Sequence, residues 1–144
     1  MLEMLSSGCA CLSLRKAARM MAQAYDHKLR PLELRNTQFS LLSLLAMNGS
    51  STVSALADDL AMDRTTLTRN LGVMERRQLV AISVGNDART RHVEITESGE
   101  TLLHQAIPLW KEAQNSVEEK LGKSHWNDLR TELSGILKIA KELG

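Results

Sequence analysis

Aromatic side chains are nearly missing from this chain: one Phe, one Tyr and two Trp, 3% of 144 residues. Leu, Met, Ala and Val must therefore fill its core. No apolar run reaches the length of a membrane span. The opening "MLEMLSSGCACLSLRKAARMM" places acid early and cations late, the wrong order for a secretory signal. A cytoplasmic protein with no membrane contact is the expectation. Cysteine is limited to Cys9 and Cys11. That C-A-C pair is a poor disulfide, because the side chains diverge on a helix and are strained together on a strand, and no zinc-ligand spacing is present. The simplest reading makes both small buried residues in a reducing compartment. The alternative is an oxidant sensor, which requires a thiol in a low-pKa setting. His27, His92, His104 and His125 form no i, i+4 pair, so no metal site is expected. No nucleophile–base pattern, phosphate-cradling glycine loop or paired-acid constellation appears. Asp58-Asp59 reads as a solvated face. An enzyme is disfavoured and no cofactor is implied.

Charge of one sign is also lacking: the net is +1. Its distribution is uneven. From Arg64 to Arg91 there are six arginines against Glu75 and Asp87, a local net of +4, while the rest of the chain is slightly acidic. A basic patch on an acidic body can bind phosphates locally.

The length fits one domain, or one domain with appended helices, and no repeat, low-complexity tract or linker interrupts it. From about Ser7 to Leu29, apolar residues recur at three and four: Leu14, Ala18, Met21, Ala22, Tyr25, Leu29. Arg30-Pro31 ends this helix, since the residue before proline avoids the α region. Asn36 or Thr37 can cap the next helix, whose apolar face is Phe39, Leu42, Leu45 and Ala46, and Asn48-Gly49 closes it. Then Val53, Leu56, Ala57 and Leu60 mark a short helix, "AMD" breaks it, Asp63 is placed to cap, and Leu67, Leu71 and Met74 mark a second. Two short amphipathic helices with so short a break form a helix-turn-helix pattern. The period then changes to two over Val80, Ile82, Val84 and again over Val93, Ile95, which predicts a hairpin with a long tip, Gly85 to Arg91. Thr96 or Ser98 can cap a long helix with Pro108 inside it, where a bend is expected. Gly122 is its stop, and Ser124 caps a last helix carrying Trp126, Leu129, Leu133, Ile136, Leu137 and Ala140.

With Leu67, Leu71 and Met74 inward, the second helix of the pair turns Arg64, Thr65, Thr66, Thr68, Arg69 and Asn70 mostly outward near its N-terminal half. That is the end a recognition helix inserts into the major groove. Arginine can take a guanine edge bidentately, Asn70 an adenine, and threonine gives hydroxyl or methyl contacts. Threonine is a mediocre helix former, so three of them need a use; the bland alternative is a solvated face. A hairpin directly after a recognition helix is a wing, whose Arg89 and Arg91 can enter the narrow, negative minor groove. Asp87 is odd on a phosphate-binding tip. It makes sense as an internal partner, holding one guanidinium in a bidentate pose. Alone, the tip would be an exposed ion pair of little worth.

The stretches "TVSALADDLAMDRTTLTRNLGVMERRQLV" and "NDARTRHVEITESG" resemble regulators of the MarR family (multiple antibiotic resistance regulators), with the D-x-R wing pattern on Asp87 and Arg89. The resemblance covers nearly the whole chain. It implies a mainly α fold with a small β-wing, a winged helix-turn-helix in the order α-α-β-α-α-β-β-α-α. Residues 1–144 would form one domain, with about 35–97 the DNA-binding lobe and about 1–34 and 98–144 long intertwined dimerisation helices. The partners implied are double-stranded DNA and a second copy of the chain, with repression at a pseudo-palindromic site and release by a small phenolic or anionic effector or an oxidant. Met1, Leu2, Met4 and Leu5, ahead of the first helix, and the apolar face of the last helix agree with a dimer. The family's pocket lies between the dimer helices and the DNA-binding lobe. Tyr25, Phe39, Met47 and Trp110 are candidates to line it, with Arg15 or Arg19 beside an anion, although such residues at helical spacing are more often core. A winged-helix module that binds protein would need an apolar or acidic recognition face, which this Arg/Thr/Asn face is not.

Overall fold

The computed structural model describes residues 1–144. In chain order they form α1 (Leu2–Ser7), α2 (Ala10–Leu29), a 3-10 turn (Arg30–Leu32), α3 (Asn36–Asn48), β1 (Ser51–Thr52), α4 (Val53–Asp59), α5 (Arg64–Arg76), β2 (Val80–Val84), β3 (Arg91–Ile95), α6 (Glu97–Leu121) and α7 (Lys123–Leu143). This is a winged helix-turn-helix fold, mainly helical with one small sheet. The chain divides into two compact units, Met1–Trp110 and Lys111–Gly144. No helix is long and apolar enough to cross a membrane.

The core of the first unit is built from the periodic leucines. Leu29 ends α2; Leu41, Leu42 and Leu45 come from α3, Leu56 from α4, and Leu67, Leu71 and Met74 from α5, all fully buried or nearly so. Ala46, expected on the buried face of α3, is exposed, and Leu41 takes its place. The start of α3 also departs from expectation. Arg35 occupies the cap position and neither Asn36 nor Thr37 caps. The Asp26 carboxylate, on α2, accepts from Asn36 N at 2.7 Å and Asn36 Nδ2 at 3.0 Å, and Arg35 N donates to Gln38 Oε1 at 3.0 Å. A side chain from the preceding helix thus satisfies an N–H that the helix itself leaves open.

The sheet is antiparallel with strand order β1-β3-β2. The hairpin pairs Val80 with Ile95 through Val84 with Arg91, and β1 adds Ser51 opposite Val93 and Thr52 opposite His92. Alternation puts Val80, Ile82, Val84, Arg91, Val93 and Ile95 on one face and Ala81, Ser83, His92 and Glu94 on the other. Val80 and Val93 are buried. The extra strand β1 has only two residues, too few to carry a period of two. Thr52 then caps α4, accepting from Ala55 N at 3.1 Å.

Thr96 caps α6 through Gly99 N at 3.0 Å, and the helix runs unbroken through Pro108. Gly122, with φ of 85°, holds the cap position of α7, so Ser124 lies inside the first turn and is not the cap. Helix α7 has no buried residue, and it presents Leu137 at 60% and Ile139 at 55% exposure. At the other terminus Leu2, Met4 and Leu5 are not a tail before the first helix; they form α1, and all three are exposed.

Candidate nucleic-acid interface

Helix α4 closes at Leu60, Ala61 turns left-handed with φ of 48°, and Asp63 then caps the start of α5. The Asp63 carboxylate accepts from Thr66 N at 2.7 Å and from Thr66 Oγ1 at 2.8 Å. The backbone bond first, then the hydroxyl, holds its pKa below the usual carboxylate value, with the Arg69 charge adding in the same direction. These bonds sort the outward residues of α5. Thr66 is half-buried and its hydroxyl proton is committed to Asp63. Asn70, also half-buried, donates from Nδ2 to Thr66 O at 3.2 Å. Arg64 Nη2 is bonded to Ser54 Oγ on α4. Thr65, Thr68 and Arg69 stand exposed.

The wing tip is ordered by backbone. Gly85 N donates to Thr90 O and Thr90 N to Asp87 O, each at 2.9 Å. The Asp87 carboxylate accepts from Arg89 N at 3.0 Å. This corrects the expected bidentate grip on a guanidinium: a carboxylate two residues ahead of an N–H closes a local turn more readily than it reaches the end of a flexible arginine. Across the base of the tip, a Cβ on Gly85 would come 2.7 Å from His92 Nε2; only glycine admits this close approach without moving the ring.

An open cleft of about 730 Å³ separates α5 from the wing. Arg64 and Thr68 from α5, and Arg89, Thr90 and Arg91 from the wing, line it, over an apolar floor that includes Leu71 and Ile82. The structure therefore brings Arg64, Thr68, Arg89 and Arg91 together. Thr65, Thr66, Arg69, Asn70 and Asp87 lie outside this cleft. Sequence reasoning missed Ser54 and Glu75, which also line it. Glu75 is on the face of Thr68 and Leu71 at helical spacing, a signal that was available.

A second hollow, of about 270 Å³, lies among α2, α3 and α6. The Phe39 and Trp110 rings stack with centroids 5.7 Å apart, and Tyr25 and Trp110 are 6.5 Å apart and tilted. Of the residues expected there, Tyr25, Phe39 and Trp110 line it; Arg15, Arg19 and Met47 do not. Arg15 turns towards Cys11, with Nη2 3.9 Å from Sγ. Arg19 sits about 100° around the helix from Ala18. Met47 lies about 10 Å farther along α3 than Ser40 and is 79% exposed. Ala18 and Ala22 line the hollow; two small residues one turn apart on the face of Tyr25 are what leave it open.

The cysteines are not the buried pair of the simplest reading. Cys9 is half-buried at the cap of α2, where its Sγ accepts from Leu12 N at 3.5 Å, and Cys11 is exposed. Both lie ahead of the packed part of α2, whose only fully buried residue is Leu29.

The chain is similar to known transcriptional regulators. A sequence model of the MarR family matches residues 32–90. The transcriptional regulator MosR of M. tuberculosis, in a crystal structure with DNA, shares 42% identity and superposes with a TM-score of 0.84, over 93% of this chain and 97% of that one. The HTH-type transcriptional regulator FarR of Neisseria gonorrhoeae is 28% identical over 116 residues, 80% of each protein. The HTH-type transcriptional regulator YhbI of Bacillus subtilis is 26% identical over 114 residues, 78% of this chain and 74% of that one.

Proposed function

The chain belongs to the MarR family of DNA-binding transcriptional regulators, and on that premise we propose that it is a homodimeric repressor of a pseudo-palindromic operator, released by a small effector. The observation that carries this reading is the cleft between α5 and the wing, where Arg64 and Thr68 face Arg89 and Arg91. In the proposed complex α5 enters the major groove. Thr65, Thr68 and Arg69 reach base edges; Thr66 and Asn70, tied to the first turn, orient that surface as much as they touch it; Arg64 serves the backbone near α4. Arg89 and Arg91 follow the adjacent phosphates and minor groove, and Asp87 holds the tip.

Residues 1–144 act here as one functional domain, with about 35–97 reading DNA and the flanking helices pairing two copies. The exposed apolar residues of α1 and, separately, those of α7 support the pairing, since large apolar side chains clustered on an uncovered helix mark an interaction surface. Two copies would meet half-sites about one helical turn apart. The hollow beside Tyr25, Phe39 and Trp110 suits a small phenolic ring better than a bare anion, because Asn36 and Ser40 rather than an arginine supply its polar lining.

The test is selection of bound duplexes from random DNA, followed by gel shifts across a salt series. An enriched, roughly symmetric site, with affinity falling steeply as salt rises, is the expected result. Recovery of no enriched symmetric site overturns the reading. A second reading, release by oxidants, is favoured by the exposure of the Cys11 thiol. Under the leading reading a Cys9→Ser/Cys11→Ser protein binds DNA as the parent does, and peroxide affects both alike. Release of the parent alone by peroxide selects the second.

A further inference from the structure

The three residues after α5, Arg77-Gln78-Leu79, touch neither the cleft nor the aromatic hollow, yet they are bonded in two directions. Backward, the Arg77 guanidinium spans two successive carbonyls of the turn that ends α2: Nη1 donates to Glu33 O at 2.7 Å and Nη2 to Leu32 O at 3.2 Å, across 44 and 45 residues of sequence. Glu33 has a left-handed φ of 51°, which sets these carbonyls at the exit of the 3-10 turn. Forward, Thr96 at the start of α6 donates from Oγ1 to Gln78 O at 2.6 Å and from N to Leu79 O at 3.1 Å. The same Leu79 carbonyl lies so close to Gly99 that a Cβ there would come within 2.2 Å of it. Gln78 itself has φ of 61°, so the segment turns sharply between its two anchors. Short-range structure asks for none of this. α5 already ends in its own backbone bonds, Gln78 N to Glu75 O and Leu79 N to Met74 O.

We propose that Arg77 and Thr96 form a two-sided clamp that fixes the recognition helix relative to the end of α2 and the start of α6, and so sets the half-site spacing that the dimer accepts. This rests on the dimeric DNA-binding reading above. Arg77 is a positioning residue, and its planar fork is the working part: two N–H groups on one rigid plane fix an orientation that a single ammonium on a flexible stem does not. The two sites of a dimer act together only if each helix reaches its half-site without distortion. Loosening the clamp on each copy lets α5 pivot, which lowers affinity for the matched spacing while easing mismatched ones.

The experiment uses the full chain and the duplex recovered by selection, with derivatives carrying one base pair added or removed at the centre. Arg77→Ala, Arg77→Lys and Thr96→Val are compared with the parent, and Thr96→Ser serves as a rescue that retains the hydroxyl. Arg77→Ala and Thr96→Val are expected to bind the matched duplex about tenfold more weakly, since in each copy the first loses two bonds to carbonyls and the second loses the bond to Gln78 O together with the cap on Gly99 N. Their preference for matched over mismatched spacing should narrow several-fold. Arg77→Lys should behave like Arg77→Ala, and Thr96→Ser like the parent, and the salt dependence should be that of the parent. A uniform loss with the spacing preference intact overturns the clamp and leaves a merely structural role. A shallower salt slope for Arg77→Ala that Arg77→Lys restores overturns it in favour of a phosphate contact. A parent without any spacing preference overturns the clamp and the dimeric reading together, whereas a selective parent with equally selective variants overturns the clamp alone.

Discussion

Helix α5 and the wing face each other across one cleft, and they hold their polar side chains in opposite ways. On α5 three of the six polar side chains from Arg64 to Asn70 are committed before any DNA arrives, Thr66 to Asp63, Asn70 to the Thr66 carbonyl and Arg64 to Ser54, and they hold in place the surface from which Thr65, Thr68 and Arg69 project. On the wing the commitment is in the backbone. The Asp87 carboxylate and carbonyl fix the turn, and the guanidinium groups of Arg89 and Arg91 are left without a protein partner. Pre-ordered side chains lower the entropy lost on docking and allow a surface to discriminate. Mobile cations on a fixed turn contribute charge to many backbones and discriminate little. The two regions should therefore fail differently, and their common support should fail hardest.

That support is Leu71, 1% exposed beneath the cleft. Leu71→Ala should cost about 2–5 kcal/mol of stability, the usual range for a buried leucine, and take both base discrimination and salt-dependent affinity with it at moderate temperature. Val84→Ala, near the wing tip where Val84 is mostly exposed, should stay within about 0.5 kcal/mol of the parent. Thermal or urea unfolding of the two variants checks this. Equal melting would show that the cleft floor is not a shared support.

Next in size is the contrast between regions. Arg69→Ala should relax the preference at particular base pairs by about 1–3 kcal/mol each if a base-edge contact is lost. Arg89→Ala should weaken binding across all sequences and reduce the salt slope by about one per copy. Binding measured against a panel of single-base variants, at two salt concentrations, separates the patterns. The comparison breaks if Arg89→Ala changes sequence preference while Arg69→Ala does not.

These contrasts also mark what a reader of the sequence alone can see. The spacing of Leu67, Leu71 and Met74, the Asp63 cap and the alternation of Val80, Ile82 and Val84 are local signals, and each reports a local structure that is present. Strand β1 escaped because two residues cannot show a period. The Asp26 bond to Asn36 crosses ten residues, and the Arg77 bonds cross more than forty; no spacing rule ties such partners. The Asp87 carboxylate escaped for another reason. At two residues' separation a backbone N–H and a guanidinium are both within reach, and only the turn geometry decides between them. Arg15, Arg19 and Met47 fall outside the aromatic hollow, because helical spacing names a face but not how far along or around it a hollow extends.

A smaller effect follows from the Asp63 cap. Its folded pKa is depressed by the Thr66 bonds, so the stability it lends is fully present above the ordinary carboxylate pKa. That contribution is lost as pH falls through the depressed folded value. Asp63→Ala should lower stability at neutral pH and flatten the acid side of the stability–pH profile, with Arg89→Ala as a control that leaves the profile unchanged. Parallel profiles for Asp63→Ala and the parent would show that the carboxylate is not linked to folding.

The smallest effect is also the sharpest, because its sign is at stake. Asp87 is a negative charge on a tip proposed to meet phosphates, so simple electrostatics predicts that removing it tightens binding. The Arg89 N–H bond predicts otherwise. Asp87→Ala deletes the acceptor, loosens the turn that aims Arg89, and should weaken DNA binding modestly, by about 0.5–1.5 kcal/mol, the net worth of an ordinary hydrogen bond. Asp87→Asn keeps an acceptor oxygen in the same place while removing the charge. It should bind at least as tightly as the parent, since the turn survives and the repulsion is gone. The pair separates geometry from charge in one titration: tighter binding by both variants would make Asp87 a mere repulsive charge, and weaker binding by both would mean that the carboxylate's charge, not its acceptor geometry, holds the tip.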